Sequence, residues 1–332
     1  MSGAEPLLSV AELTKHFPVL GGLFHRRVAT VHAVDALSFE LAKGETLGIV
    51  GESGCGKSTT ARLTMRLLEP DAGRIALGGA EVGRELSLRA LRRRVQMVFQ
   101  DSYASLNPRL TVEDTIAFGP RVQGASEDAA RAKAADLLAR VGLDPMLFAR
   151  RYPHELSGGQ RQRVNIARAL ALEPEILILD EAVSALDKSV EAQVLNLLLD
   201  LKAQLCLTYI FISHDLNVVQ YISDRVMVMY LGRMVEIGPV EAIYGGARHP
   251  YTRALLSAMP SMDPERRTQE APLAGDPPNP IDPPSGCRFR TRCAMAETAC
   301  ERAVPAPTAL GAGHAVACHM AAPGSGHSRA AT

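Results

Sequence analysis

The sequence predicts an α/β protein: a mostly parallel sheet core with a helical insertion within it and a small irregular cysteine-bearing module after it. Three stretches carry this reading. "ETLGIVGESGCGKSTTARLTMRLL" runs from a short apolar segment, Leu47 to Val50, through a glycine loop into an amphipathic helix beginning near Lys57. "EILILDEAVSALD" holds a continuous apolar run, Ile176 to Leu179, of the kind buried on both faces of a parallel sheet, with Asp180 at its tip. A third strand, "LTYIFISHD", ends at His214.

Composition sets the bounds. With 332 residues, 47% of them hydrophobic, the chain can bury a sizeable core and divide into two or three domains or subdomains. Its 36 basic and 36 acidic residues balance, so no overall field draws it to nucleic acid, and no nucleic-acid partner is expected. "MSGAEPLLSVAEL" lacks a basic segment followed by an apolar one, and no later run is long and apolar enough to span a bilayer; a cytoplasmic location is expected.

Gly51 to Ser58 matches G-x-x-x-x-G-K-[ST], a phosphate-binding loop. Glycines at 51, 54 and 56 let the backbone of Gly51, Glu52, Ser53, Gly54, Cys55 and Gly56 turn N–H groups toward phosphate oxygens, and the positive end of the helix adds attraction. Lys57 is placed to reach the β and γ phosphates of ATP, Ser58 to put its hydroxyl on Mg²⁺, and Thr59 follows on the helix. The Cys55 side chain is expected to point outward as a bystander. At the second strand, Asp180 can hold Mg²⁺ through water, and Glu181 can accept a proton from an attacking water. His214 can contact the γ-phosphate.

Between these segments, "SEDAARAKAADLLARVGLDP" reads as a helix with a glycine stop, part of a helical insertion over about 101–165. It leads to "ELSGGQRQR". Ser157, Gly158, Gly159 and Gln160 stand at the entrance of the "QRQRVNIARALAL" helix and repeat the logic of the first loop: exposed N–H groups, a hydroxyl and a helix dipole. A second anion site on a separate subdomain points to a nucleotide held by another subunit.

With these stretches in view, the chain resembles the ATP-binding subunits of ABC transporters. The resemblance rests on the loop at Gly51 to Ser58, the Q-loop glutamine Gln100 in "MVFQD", "LSGGQ" at Leu156 to Gln160, the pair Asp180 and Glu181, the D-loop "SALD" ending at Asp187, and the switch histidine His214. It implies a RecA-like P-loop core, with an antiparallel β region at its N-terminal side, in a domain spanning 1–245. It also implies head-to-tail pairing of two nucleotide domains, with Ser157 and Gly159 on the partner's γ-phosphate and Gln100 beside the Mg²⁺ ion. An aromatic near the start of the domain stacks on adenine in that family; Phe17 in "LTKHFPV" fits best, with Phe24 nearby. "DEAVSALD" departs from the commoner "DEPTSALD" at two residues without chemical roles.

Nearly the whole chain is similar to the oligopeptide and dipeptide importer branch, and within it to the F-type subunit, through "FPVLGGLFHRR", "QDSYASLNPR", "YPHELSGGQRQR", "YLGRMVEIG", "HPYTRALL" and "PPSGCRFRTRC". That implies a D-type companion ATPase, two membrane permease subunits, a periplasmic or extracellular solute-binding protein, and a place on the inner face of the membrane. Nickel, glutathione and opine import remain alternatives to peptides. A soluble ABC ATPase outside transport is disfavoured by a single set of motifs and the lack of sustained heptads.

After the hairpin "RVMVMYLGRMVEIG", with its turn at Gly232, the composition changes. "AGDPPNPIDPPSG" reads as a connector, 246–320 as the region carrying the cysteine module, and 321–332 as a disordered tail. Four of the six cysteines, Cys287, Cys293, Cys300 and Cys318, fall at spacings C-x5-C, C-x6-C and C-x17-C. Disulfides are disfavoured in the cytoplasm, and four thiolates suit zinc, although the short C-x2-C knuckles of zinc ribbons are missing. The resemblance adds a [4Fe–4S] cluster, held by some peptide-importer ATPases with this cysteine pattern. The expectation is a structural metal centre, iron–sulfur ahead of zinc.

Overall fold

The computed structural model describes residues 5–21, 26–259 and 279–331. Phe24 and residues 274–278 of the proline-rich connector lie outside them. Among the described residues the strands are β1 (Leu8–Gly21), β2 (Arg26–Leu41), β3 (Thr46–Val50), β4 (Ala72–Leu77), β5 (Ala80–Glu81), β6 (Val95–Val98), β7 (Ile176–Asp180), β8 (Thr208–Ile212), β9 (Arg225–Tyr230), β10 (Arg233–Pro239), β11 (Thr308–Gly311) and β12 (His314–Val316). One antiparallel sheet has the order β2-β1-β4-β5; the main sheet has the order β11-β12-β10-β9-β3-β8-β7-β6.

In the main sheet β6, β7, β8, β3 and β9 are parallel, and β10, β12 and β11 continue it antiparallel. "TLGIV", "ILILD" and "TYIFI" are buried at every position, as strands covered on both faces must be. Buried Tyr209 on β8 donates its hydroxyl hydrogen to the Leu198 carbonyl at 2.9 Å, so its one polar atom is satisfied within the core.

The insertion is helical, with helices Val112–Val122, Glu127–Arg140 and Gly158–Leu170. Each starts where a hydroxyl can accept from a free backbone N–H: Thr111 from Asp114, Ser126 from Ala129 and Ser157 from Gln160. Between β9 and β10 the turn places Leu231 and Gly232 at φ 45° and 79°. Two successive left-handed residues suit the twist of a hairpin. The Gly232 N–H then donates to the Cys55 carbonyl at 2.7 Å, tying the hairpin to the glycine loop.

The cysteine-bearing region is continuous with the main sheet, because β12 pairs with β10 at Glu236↔Val316 and Ile237↔Ala315. Glu236, 0% exposed, anchors the join. Its carboxylate accepts from the N–H groups of Arg248 (2.7 Å) and His249 (3.0 Å) and meets His314 Nε2 at 2.8 Å.

The disordered tail expected from composition is not what residues 321–331 form. Ala331 N–H donates to the Met320 carbonyl at 3.0 Å, Ser325 Oγ to the His319 carbonyl at 2.6 Å, and buried His327 meets the Met295 carbonyl through Nε2 at 2.9 Å. A few side-chain hydrogen bonds hold a segment whose composition offers little apolar area. Among the described residues no helix is long and apolar enough to cross a membrane.

Removing the Glu236 carboxylate would leave two backbone N–H groups and an imidazole buried without their acceptor. Glu236→Ala is expected to lower the unfolding free energy by about 3 kcal/mol or more. Urea denaturation checks this, and an unchanged midpoint would contradict it.

Candidate nucleotide site

In the main sheet β8 lies between β3 and β7, so the carboxyl ends of β3 and β7 emerge on one edge. Beyond β3 the chain turns through Gly51 and Gly56 at φ 149° and 108°. A Cβ at Gly51 would lie 2.2 Å from the Met229 carbonyl oxygen, and one at Gly56 2.3 Å from that of Ala33. Only glycine fits both the angles and the space.

Ser53 and Gly54 stand exposed on the loop, and Thr59 is half-buried on the helix Lys57–Thr64. Buried Lys57 arches back, donating from Nζ to the carbonyls of Gly51 (2.7 Å) and Glu52 (3.1 Å). The Cys55 side chain does not point outward as expected: it is 3% exposed and belongs to the core containing Met227 and Met229. The space that a Gly51 side chain would need is the space its sulfur takes, 2.8 Å from the Cβ position. Burial pushes the Cys55 thiol pKa up.

Ser58 Oγ donates to Asp180 Oδ1 at 2.8 Å, joining loop and strand tip. Asp180 is 2% exposed; burial holds its carboxyl above the usual range and neighbouring Glu181 adds to this, against the Ser58 hydrogen bond. A divalent cation would reverse that balance, and the hydroxyl with the carboxylate forms a donor set suited to Mg²⁺.

Glu181 occupies a left-handed backbone conformation, φ 48°, unusual for a side chain of its size. Its N–H donates to the Ile212 carbonyl at 2.9 Å. Glu181 Oε2 accepts from Gln100 Nε2 at 2.8 Å and lies 3.6 Å from His214 Nδ1. The side chains that follow β6, β7 and β8 therefore meet at one edge. His214 stands two residues beyond β8, not at its end, and its side chain is 61% exposed. A carboxylate so held beside an open imidazole can take a proton from water.

Ser157 is the exposed N-cap of its helix, with buried Leu156 behind it. Ser157 Oγ accepts from Gln160 N–H, and Gln160 Oε1 accepts from Ser157 N–H. This reciprocal box presents Gly158 and Gly159 in the first turn. Asp187 is exposed ahead of helix Lys188–Leu205, and its side chain makes no cap hydrogen bond. Phe17 sits half-buried on β1 opposite Val31, with Lys15 Nζ 5.7 Å from its ring centre.

Cys287, Cys293, Cys300 and Cys318 line one cavity of about 10 Å³, so the fold gathers thiols that lie far apart in sequence. All four are free. Burial pushes Cys287 up to about 11 and raises Cys293 and Cys318. Among the described residues no three of these sulfurs lie within 4.8 Å of one another. Among the described residues, the trio whose ligand atoms all lie within 4.8 Å is His16, His32 and Asp35. That trio has no excess negative charge for a cation, because Asp35 already accepts from Arg233 and Arg288.

Two contacts to the loop went unread in the sequence. Arg292 pairs with Glu52, and the Tyr251 hydroxyl accepts from the Glu52 N–H at 2.9 Å. The Arg292 pair spans 240 positions, and no local pattern marks either partner.

Fold and loop together define an ATP-binding cassette ATPase. The ABC transporter family model matches residues 34–184, and that of the oligopeptide/dipeptide transporter C-terminal region matches residues 235–300. The chain is 52% identical over 323 residues to a probable peptide ABC transporter ATP-binding protein, y4tS, of Sinorhizobium fredii, covering 96% of this chain and 91% of that one. It is 49% identical to the oligopeptide transport ATP-binding protein AppF of Bacillus subtilis (95% and 98% covered) and 47% identical to the di/tripeptide transport ATP-binding protein DppF of Pseudomonas aeruginosa (96% and 98%). Among solved structures it is similar to cbiO1 of Clostridium perfringens, with TM-score 0.63 and 29% identity over 73% of this chain and 92% of that one. It is also similar to the dimeric ATP-binding cassette MJ0796 bound to ADP and Pi, with TM-score 0.60 and 26% identity (70% and 98% covered). The chain belongs to the ATP-binding proteins of ABC transporters, in the oligopeptide/dipeptide branch, and its activity is ATP hydrolysis.

Proposed function

We propose that this chain energises import of di- or oligopeptides, as one half of a head-to-tail pair of nucleotide domains docked on two membrane permease subunits at the inner, cytoplasmic face. The partner ATPase is a D-type paralogue, and a solute-binding protein delivers cargo from outside. The peptide assignment rests on what the relatives' names say and on the matched C-terminal region. The catalytic assignment rests on the meeting of Ser58, Asp180, Glu181, Gln100 and His214 at one sheet edge. Exposed Tyr103, Met146 and Leu147 on the helical insertion offer apolar surface for a permease contact. We assign 1–245 to the nucleotide domain and the segment from 246 to the importer-type C-terminal region.

In this reading the loop N–H groups and Lys57 take the phosphates, and Phe17 stacks on adenine. Ser58, Asp180 and Gln100 hold Mg²⁺, which supplies positive charge to the phosphates. Glu181 accepts the proton of the attacking water, held toward it by its strained backbone and by Gln100; His214 lies against the γ-phosphate. Ser157, Gly158, Gly159 and Gln160 close over the partner's nucleotide, with Asp187 at the seam. The four cysteines are assigned as ligands of a structural [4Fe–4S] centre, with zinc as the second reading. The four cysteines line one cavity, which supports a shared centre, and four thiolates are the usual ligand set of such a cluster.

Glu181→Gln is expected to keep ATP affinity while turnover falls by about 10²–10⁴-fold, since the base is removed and the phosphate contacts stay. Steady-state hydrolysis beside nucleotide titration reads both, and full turnover would remove Glu181 from the role. Ser157→Arg is expected to stop hydrolysis at the partner's loop while this chain's own loop still binds ATP. Unimpaired hydrolysis in that variant would exclude the composite site. Anaerobic purification with visible absorption and metal analysis should find iron, or failing that zinc; colourless protein lacking both would leave the cysteines as incidental thiols.

A further inference from the structure

Glu52, the second residue of the glycine loop, is held at every polar group it has. Its N–H donates to Tyr251 Oη at 2.9 Å. Its carbonyl accepts from Lys57 Nζ at 3.1 Å and from the Cys55 N–H at 3.2 Å. Its carboxylate takes the fork of Arg292: Nη1 lies 3.1 Å from Oε1 and 2.9 Å from Oε2, and Nη2 lies 3.1 Å from Oε1. The Arg292 side chain is 6% exposed and that of Glu52 21%.

Lys57 and Cys55 belong to the loop, but Tyr251 and Arg292 come from beyond the hairpin. Arg292 ends the helical turn Arg290–Arg292, immediately before Cys293. The Tyr251 ring packs on Tyr230 (centroids 4.6 Å apart) and on Phe289 (5.4 Å), and Phe289 stands two residues after Cys287. The stretch from Cys287 to Cys293 thus supports the first turn of the loop twice, once by an ion pair and once through an aromatic contact.

A carboxylate is out of place in a loop whose N–H groups and lysine are arranged for a polyanion. Unpaired and half-buried, it would repel the phosphates and could swing toward the lysine that serves them. A guanidinium matches both carboxylate oxygens in one plane, so it cancels the charge and fixes the side chain at once.

We propose that Arg292 is a positioning residue for ATP: it neutralises Glu52 and holds the first turn of the phosphate loop, so the cysteine-bearing module sets how tightly the loop takes the triphosphate. This rests on the phosphate-loop assignment above. In this proposal Arg292 acts on the nucleotide through Glu52.

The test is the ATP dissociation constant of the full-length chain, by calorimetry at low and high salt, for the wild type, Arg292→Ala, Glu52→Gln and the double variant. Arg292→Ala is expected to weaken binding about tenfold at low salt, and less at high salt where the freed carboxylate is screened. Adding Glu52→Gln removes that carboxylate and should return affinity to within about threefold of wild type. Arg292→Lys, which keeps the charge and loses the fork, should fall between. A role in folding alone would leave the double variant as weak as Arg292→Ala and would show no salt dependence; either result overturns the proposal, as does Arg292→Ala binding within about twofold of wild type. Should Arg292→Ala fail to fold, Arg292→Lys carries the same comparison with Glu52→Gln. Lys57→Ala is titrated in parallel: wild-type affinity there would sink the phosphate-loop assignment itself, separately from the Arg292 series.

Discussion

One hydrogen bond, from Ser58 Oγ to Asp180 Oδ1 at 2.8 Å, joins groups 122 positions apart and depends on nearly everything else in the molecule. It requires β3 and β7 to run parallel on either side of β8, so that a glycine loop and a carboxylate emerge at one edge. Parallel strands need crossover connections, and the crossovers supply the helices that bury both faces. The edge where strands end is then where loops and helix N-termini gather, and where a polyanion finds N–H groups and cations together.

Glu181 follows from the same constraint. The chain must leave β7 sharply to keep Asp180 at the strand tip, and Glu181 takes the left-handed conformation that the turn requires. Such a conformation costs on the order of 1 kcal/mol or more for a residue with a side chain, and it persists where neighbours enforce it. Here the bond to the Ile212 carbonyl holds the backbone and Gln100 holds the carboxylate. Strain and support occur at the residue proposed to move the proton.

Around this edge, among the described residues, three carboxylates of the preceding chain each meet a cationic or imidazole group from beyond residue 285 and so fasten the cysteine-bearing region. Glu52 takes Arg292, Asp35 takes Arg288, and Glu236 takes His314. Glu236 is buried outright and satisfied by two further N–H groups, which makes it a fixed joint. Asp35 is shared with Arg233 of β10, so the antiparallel sheet, the hairpin and the C-terminal region meet on one side chain. A region with little apolar area of its own is held by directed polar bonds to a larger neighbour.

The phosphate loop, the buried strands, two helices of the insertion and the hairpin at Gly232 were legible in the sequence, because each is specified within a few residues by φ restrictions, side-chain periodicity and a glycine stop. The resemblance of its ordered motifs to ABC transporter subunits likewise needed no coordinates. Only the tertiary structure could place the Cys55 thiol inward, in space left by Gly51, or fold 321–331 against the module through His327 and Ser325. The same holds for the gathering of four thiols round one cavity and for the pairing of Glu52 with Arg292. The physical reason is range: backbone propensity and periodicity act between neighbours in the chain, whereas burial and ion pairing act between neighbours in space, which the order of residues does not name.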